Sequence, residues 1–308
     1  MLAILLETLP FFALIALGYW AGRSGFFTPE ATAYLTKFVF YFALSAMIFR
    51  FASNLELREV WDSNQSWGYL FGTSAVYIVA TVIAFARKRG IQEAAVEAQC
   101  AAIGNIGFLG IPMLALILGE AAVGVIMMML AVDLIVFSSL IVILITGSRD
   151  GQMHIGILKT VGLGLVKNPM IVAIVLGFVW SGFDIPIPGP MNEFLAILGA
   201  AATPGALFAI GASLASKSAE RLAVAGWLSF AKLVLHPALV AVGILILFPV
   251  DPYTASVAIS AEALPVAGNV CFLAQRYGVA PQRVSASVLG STVVSILTVT
   301  LVIAWVQV

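Results

Sequence analysis

Two segments of the 308-residue chain place an asparagine between glycine and proline residues inside a long apolar run. One segment, CAAIGNIGFLGIPML, contains Asn105 and Pro112, and the other, LPVAGNVCFLAQRYG, contains Pro265 and Asn269. Proline removes a backbone N–H and clashes with the carbonyl group four residues earlier, so each segment predicts an interrupted helix, the first of them around Phe108. The backbone N–H groups at the start of a half-helix, together with the asparagine amides, could bind a small anion.

Two carboxylates in apolar runs could bind a coupling ion or a proton. Glu262 lies three residues before Pro265, and Asp133 lies deep in another apolar run. A carboxylate inside a membrane costs about 2.5–3.5 kcal/mol on insertion scales and is a functional candidate by default. Each could be protonated when substrate binds, could ligate sodium, or could pair structurally with Lys232 or His236. Lys232 and His236 are four residues apart and share one face of a helix, which favours a structural role for these two residues.

Two hydroxyl side chains, of Ser45 and Thr203, lie in the middle of two further apolar runs and are candidates for contacting a substrate. The alternative is that each hydroxyl group bonds back to a carbonyl group of its own helix, as serine and threonine in helices often do. The sequence leaves both alternatives open.

The composition is that of an integral membrane protein. Hydrophobic residues make up 62% of the chain, charged residues 10%, and the mean hydropathy is +1.09, whereas a soluble domain is about 25% charged. The net charge of zero leaves no basic patch for nucleic acid, which is excluded as a partner. Cys100 and Cys271 lie in apolar runs and are expected to be buried and free. The sequence contains no ATP-binding loop and no metal or cofactor motif. Any transport across the membrane would therefore have to draw its energy from an ion or solute gradient.

Ten apolar runs are long enough to cross the roughly 30 Å hydrocarbon core of a bilayer. They lie at about 3–22, 34–52, 67–86, 94–118, 121–146, 168–183, 190–215, 224–248, 252–276 and 282–306. The first run lacks a basic leader and a small-residue cleavage site, so it is predicted to be a span and not a cleaved signal peptide. The sequence therefore predicts an all-α integral membrane protein with ten transmembrane helices.

Loop charges predict the orientation of these spans. One side of the ten-span arrangement receives Arg23, Arg87, Lys88, Arg89, Arg149, Lys159, Lys167, Lys217, Arg221, Arg276 and Arg283. The other side receives only Arg50 and Arg58 among the loop cations. Because cytoplasmic loops are enriched in lysine and arginine, the first side is predicted to be cytoplasmic. Both termini are then on the non-cytoplasmic side of the inner (cytoplasmic) membrane.

Matches between the two halves of the chain predict an internal repeat. Pro10, Gly18, Pro29 and Phe49 match Pro169, Gly177, Pro188 and Phe208 at a constant offset of 159 residues, and GNIGFL at 104–109 matches GNVCFL at 268–273. With five spans in each half, the second half enters the membrane in the opposite sense, which predicts two inverted five-helix repeats. The repeats would cover residues 1–146 and 168–308, joined by a cytoplasmic linker at 147–167.

Several stretches resemble the auxin efflux carrier family, which includes the plant PIN-FORMED carriers and bacterial malonate-type transporters. They are GNIGFLGIP, ATPGALFAIGASLA, KLVLHP, LPVAGNVCFLAQRYG and LGSTVVSILTV, and they spread over most of the chain. The resemblance implies crossed, proline-broken helices 4 and 9 and carriage of small organic anions. The family motif matches this sequence at Asn105, Pro112, Pro265 and Asn269. The long hydrophilic loop of plant members between spans 5 and 6 is missing, which favours a bacterial member.

The function predicted is secondary active transport of a small organic anion, a carboxylate, by elevator-like alternating access with the site at the crossing of helices 4 and 9. The alternatives are a sodium-coupled symporter of the bile-acid type, a cation/proton antiporter of similar fold and, more distantly, an intramembrane enzyme. Coupling to protons and coupling to sodium both stay open, as do a monomer and a homodimer. Besides the substrate and the lipid bilayer, no partner is predicted.

Overall fold

The computed structural model describes residues 2–55, 61–150, 155–215 and 222–306. Over these residues the chain is all-helical apart from one isolated bridge between Gly104 and Val266, which confirms the predicted all-α class. In chain order the helices are α1 (Leu2–Arg23), α2 (Pro29–Ser53), α3 (Ser63–Ala86), α4 (Ile91–Ala102), α5 (Ile106–Leu118), α6 (Ala122–Arg149), α7 (Ile155–Val166), α8 (Pro169–Ser181), α9 (Gly189–Ala215), α10 (Ala223–Leu247), α11 (Pro252–Glu262), α12 (Asn269–Tyr277) and α13 (Pro281–Val306).

Side-chain caps and prolines determine where several helices begin. Thr28, Asp62, Asn168 and Asp251 each accept a hydrogen bond from a backbone N–H in the first turn of the following helix. These caps satisfy N–H groups that the start of a helix leaves without a partner. In α2, α8 and α11 the first helical residue is proline, at a position where no N–H is needed.

Seven of the described helices are long and apolar enough to cross a bilayer, namely α1, α2, α3, α6, α9, α10 and α13. α7 and α8 form a pair bent by 66°. The predicted fourth span consists of α4 and α5, and the predicted ninth of α11 and α12, so each is divided into two short helices.

Helices occupy part of the segment predicted as a linker, residues 147–167. α6 continues into it, and α7 occupies Ile155–Val166. The sequence of α7, IGILKTVGLGLV, is apolar except for one lysine and one threonine, so it can form a helix against other apolar surface.

Two helix pairs, α1 with α9 and α2 with α8, pack closely through glycine. A Cβ atom on Gly18 would lie 2.1 Å from the carbonyl oxygen of Phe208, and one on Gly177 would lie 3.0 Å from that of Phe49. Both pairs consist of positions that match between the halves at the offset of 159 residues. The two contacts therefore join equivalent positions with the halves exchanged, which is the arrangement expected of an inverted repeat.

An ionic cluster ties α4 to α13 and to the end of α3. The Glu97 carboxylate, whose side chain is 1% exposed, accepts a hydrogen bond from Arg283 at 2.6 Å and another from Arg87. Glu93 lies 3.0 Å from the same Arg283 nitrogen. Since a buried charge is costly unless it is paired, the cluster favours one position of these helices relative to one another.

Candidate functional site

The break between α4 and α5 crosses the break between α11 and α12. The N–H of Asn105 donates to the carbonyl of Pro265 at 2.9 Å, and the N–H of Ala267 donates to the carbonyl of Ile103 at 3.0 Å. The two breaks thus form a short antiparallel pair and satisfy part of each other's backbone. Such pairing is what allows non-helical backbone to lie inside a membrane protein.

A third helix supports the crossing, and two helices begin there. The N–H of Val266 donates to Ser291 Oγ of α13 at 3.1 Å. α5 and α12 both start at the crossing, so their first N–H groups and the positive ends of their dipoles face it. The partial positive charges of two helix starts therefore lie close together within apolar protein, and this arrangement suits an anion.

The prediction that Pro112 interrupts a helix around Phe108 is wrong. The break lies at residues 103–105, and the chain is helical again before Pro112, first as a π-helical turn and then as an α-helix. Pro112 lies within α5, directly after that π-helical turn, so it accompanies an irregular turn and does not end the helix. Pro265, in contrast, lies within its own break, and its carbonyl accepts the N–H of Asn105.

A cavity with about 370 Å³ of empty space adjoins the crossing. Asn105, Asn269 and Asp133 line it, together with Phe108 of α5. The Oδ1 atoms of both asparagines and Oδ2 of Asp133 are buried and have no hydrogen-bond partner among the described residues. Because buried polar atoms are normally hydrogen-bonded, these three oxygen atoms, which are acceptors, favour a polar ligand. The donors that the same asparagines could offer an anion are their Nδ2 groups. The two asparagines reach the same cavity although 164 positions separate them in the sequence.

A second cavity, with about 500 Å³ of empty space, lies between the crossing and helices α2 and α9. Asn269 and Phe108 line both cavities, so these two residues stand between them. Thr36 of α2 and Ser213 of α9 also line it. Sequence reasoning missed these two residues, because single hydroxyl groups in apolar helices carry no distinguishing pattern.

Neither Ser45 nor Thr203 lines either of the two cavities. Ser45 Oγ donates to the carbonyl of Phe40 in its own helix at 3.1 Å, which is the back-bonded alternative. Cys100 and Cys271 are buried and free, as expected from their apolar surroundings.

A buried ionic cluster of α10 and α11 adjoins the crossing. Lys232 Nζ donates to Oε2 of Glu262 at 2.8 Å and to the main-chain carbonyl of Glu262 at 2.6 Å. His236 Nδ1 lies 2.8 Å from the same Oε2 and 3.1 Å from Lys232 Nζ, and all three side chains are fully buried. A Cβ atom on Gly104 would lie 2.9 Å from Lys232 Nζ, so the ammonium group lies against the other break. Lys232 thereby neutralises both the carboxylate and the negative end of α11.

Further hydrogen bonds connect α10 and α6 to α3. His236 Nε2 lies 3.0 Å from Thr73 Oγ1, and Tyr69, one turn earlier on α3, donates its hydroxyl group to Asp133 Oδ1 at 2.5 Å. All four side chains are buried. Sequence reasoning missed Tyr69 and Thr73, because nothing marks them until α3, α6 and α10 are packed together.

The chain is similar both to a family model and to individual curated proteins. The chain matches the family model described as "Membrane transport protein" over residues 3–303. It is 31% identical over 298 residues to the "Putative malonate transporter" of Rhizobium meliloti (strain 1021), which covers 95% of this chain and 92% of that protein. It is 25% identical over 298 residues to the "Uncharacterized transporter YfdV" of Escherichia coli (strain K12), which covers 91% of this chain and 90% of that protein.

Proposed function

Because the chain belongs to the membrane transport protein family, also called the auxin efflux carrier family, we propose that it is a secondary active transporter of a small organic anion. The proposed site is the cavity at the helix crossing, and the proposed substrates are carboxylates. The relative named for malonate supports a carboxylate as the substrate class.

The observation that carries this proposal is the set of donors around that cavity. Asn105 and Asn269 contribute side-chain amides, and α5 and α12 begin beside them. Amide and backbone N–H groups bind a carboxylate through hydrogen bonds without a permanent counter-charge in the cavity wall. A carrier must also release its substrate, and uncharged donors favour reversible binding. Secondary transporters of this kind place substrates at broken helices.

The proposed architecture is ten spans in two inverted repeats, with both termini on the non-cytoplasmic side of the inner membrane. The exchanged glycine contacts, Gly18 with Phe208 and Gly177 with Phe49, support the repeat. The proposed movement is elevator-like. α1, α2, α8 and α9 pack on one another and would form the scaffold. The remaining helices carry the crossing and would move against them, exposing the site first to one side and then to the other.

A sodium-coupled symporter of the bile-acid type is the second candidate, with a cation/proton antiporter close to it. Asp133 and Glu262 are the two carboxylates that could ligate a coupling cation, but Lys232 Nζ already contacts Oε2 and the main-chain carbonyl of Glu262. An ammonium group in that place favours transport that does not depend on sodium. Membership of a transporter family favours a carrier over an intramembrane enzyme.

The proposal is tested by uptake into vesicles reconstituted with the purified protein. Radiolabelled acetate, lactate, malonate and succinate are offered separately, and sodium and pH are varied independently. Accumulation of at least one of these anions above empty vesicles is expected, with no requirement for sodium. If none of them enters the vesicles under any gradient, the proposed function is wrong.

Alanine at Asn105 or at Asn269 is expected to weaken binding of the transported anion about tenfold or more, because a hydrogen bond to a charged group contributes about 1.5–3 kcal/mol. Binding to purified protein is measured by calorimetry. Asn54→Ala is the matched control, since the exposed Asn54 side chain lies outside both cavities and donates to the carbonyl of Arg50 in its own helix. Wild-type affinity in both cavity variants would contradict the site.

Alanine substitutions at the two prolines are expected to have different effects on uptake. Pro265→Ala should lower uptake several-fold, because alanine restores an N–H and lets α11 extend toward the crossing. The Pro112→Ala variant should transport at close to the wild-type rate, because Pro112 lies within α5, beyond the break at residues 103–105. Uptake is compared at equal amounts of folded protein, and equal losses in the two variants would contradict the position of the break.

A further inference from the structure

Asp133 is an acidic side chain in the wall of a cavity that is proposed to hold an anion. It is 2% exposed and lies at the start of a π-helical turn, Asp133–Phe137, within α6. Its Oδ1 accepts the hydroxyl hydrogen of Tyr69 at 2.5 Å. Its Oδ2 is buried and lacks a hydrogen-bond partner among the described residues, and Asp133 lines the same cavity as Asn105 and Asn269.

The charges around Asp133 leave it without a counter-ion of its own. Tyr69 faces it from α3 with an uncharged hydroxyl group. Among the described residues, the cation whose charge acts on Asp133 is the Lys232 ammonium of α10, and that group is bound to the Glu262 carboxylate of α11 at 2.8 Å. His236 of α10 lies on the same carboxylate. The positive charge of this cluster is therefore already matched by Glu262.

An ionised Asp133 would repel an anion in the same cavity. Two unit charges of like sign about 4 Å apart repel by about 4 kcal/mol at an effective dielectric constant of 20. A proton on Oδ2 removes this repulsion and converts the atom from an acceptor into a donor. The protonated carboxyl group would then be an uncharged donor for a substrate carboxylate, beside the Nδ2 groups of the two asparagines, whose Oδ1 atoms remain acceptors.

We propose, in an inference that rests on the proposed function, that Asp133 is a neutral carboxyl group whenever substrate is bound. Its Oδ2–H then donates a hydrogen bond to the substrate carboxylate. One proton is taken up with each anion that binds and is released when the anion leaves. Since coupling between two ligands is reciprocal, proton binding tightens anion binding by the same factor. Asp133, and not the paired Glu262, is then the residue that links transport to the proton gradient.

The test measures proton uptake directly. Malonate, or the panel anion that wild-type vesicles accumulate fastest, is titrated into purified protein by calorimetry in two buffers of different ionisation enthalpy. The heat difference between the buffers gives the number of protons taken up per anion bound. We expect about one proton per anion for wild type at a pH where free Asp133 is ionised, and about tenfold weaker binding for each further unit of pH.

Asp133→Asn keeps an acceptor for Tyr69 and places an amide donor where the Oδ2–H would be. This variant is expected to bind the anion with at least wild-type affinity near neutral pH, to take up no proton and to lose the pH dependence of binding. Asp251→Asn is the matched control. Asp251 caps α11 outside the cavity, asparagine caps helices equally well, and wild-type proton uptake is expected.

The possible results separate the two proposals. Anion binding by wild type without proton uptake would overturn the role of Asp133 and leave the proposed function standing. Proton uptake that persists in Asp133→Asn would move the coupling to another group and overturn the inference as well. Should Asp133→Asn fail to fold, the wild-type proton count still decides whether a proton accompanies the anion. Failure of wild type to take up any carboxylate would instead reject the proposed function.

Discussion

Replacement of Lys232 by methionine is expected to destabilise the protein by about 3–5 kcal/mol, because it leaves the buried Glu262 carboxylate without its cation. Both side chains are fully buried, 2.8 Å apart, and the ammonium group also binds the main-chain carbonyl at the end of α11. Methionine has a similar length and an apolar stem, so the loss of packing should be small. The measurement is the melting temperature in detergent, together with the yield of monodisperse protein.

The double variant Lys232→Met with Glu262→Gln separates charge from shape. Neither residue is then left as an unpaired ion, so most of the lost stability is expected to return. Because the two residues are in direct contact, their effects should be strongly non-additive. If the double variant melts no higher than Lys232→Met alone, the unpaired carboxylate is not the cause of the destabilisation.

Alanine at Gly211 is expected to destabilise the protein by about 3 kcal/mol or more, because the added methyl group would clash with main-chain atoms of the neighbouring helix. A Cβ atom at this position of α9 would lie 1.9 Å from the carbonyl oxygen of Ile15 in α1. A carbonyl group cannot rotate away as a side chain can, so the two helices would have to move apart. Helices in membranes associate mainly by such close packing of small residues. Loss of most folded protein in size-exclusion chromatography is the expected result.

Gly226→Ala provides the matched control for this substitution. Gly226 lies in α10, and a Cβ atom there would have no neighbour within 4 Å. Alanine favours the helix by about 0.5–1 kcal/mol relative to glycine, so this variant should melt at or slightly above the wild-type temperature. A Gly211→Ala protein as stable as Gly226→Ala would show that α1 and α9 do not pack as closely as described.

Much of the fold could be predicted from the sequence because it depends on local properties. The apolar runs and the shortage of charge require a membrane protein whatever the packing is. The glycine, asparagine and proline residues of the two unusual segments also weaken a helix locally, so interruptions near Asn105 and Asn269 could be expected. The resemblance of GNIGFL to GNVCFL pointed to the two segments that meet.

The exact place of each break could not be predicted from proline alone. Pro112 has the chemistry of a helix breaker, yet the helix is broken at residues 103–105. A break becomes stable where other groups accept its freed backbone N–H groups. The carbonyl of Pro265 accepts the N–H of Asn105 in the first break, and the hydroxyl group of Ser291 accepts the N–H of Val266 in the second. Both come from segments far away in the chain.

By itself, the sequence determined the membrane environment, the helical class and the two asparagines that reach one cavity. The tertiary structure alone decided which charges pair and which stay open. It placed Lys232 and His236 on Glu262, and it placed Asp133 in the cavity wall with one oxygen that has no hydrogen-bond partner among the described residues. Both carboxylates look alike as acids in apolar runs, because the energy of a buried charge depends on atoms within a few ångströms of it. Those atoms come from helices that only folding brings together.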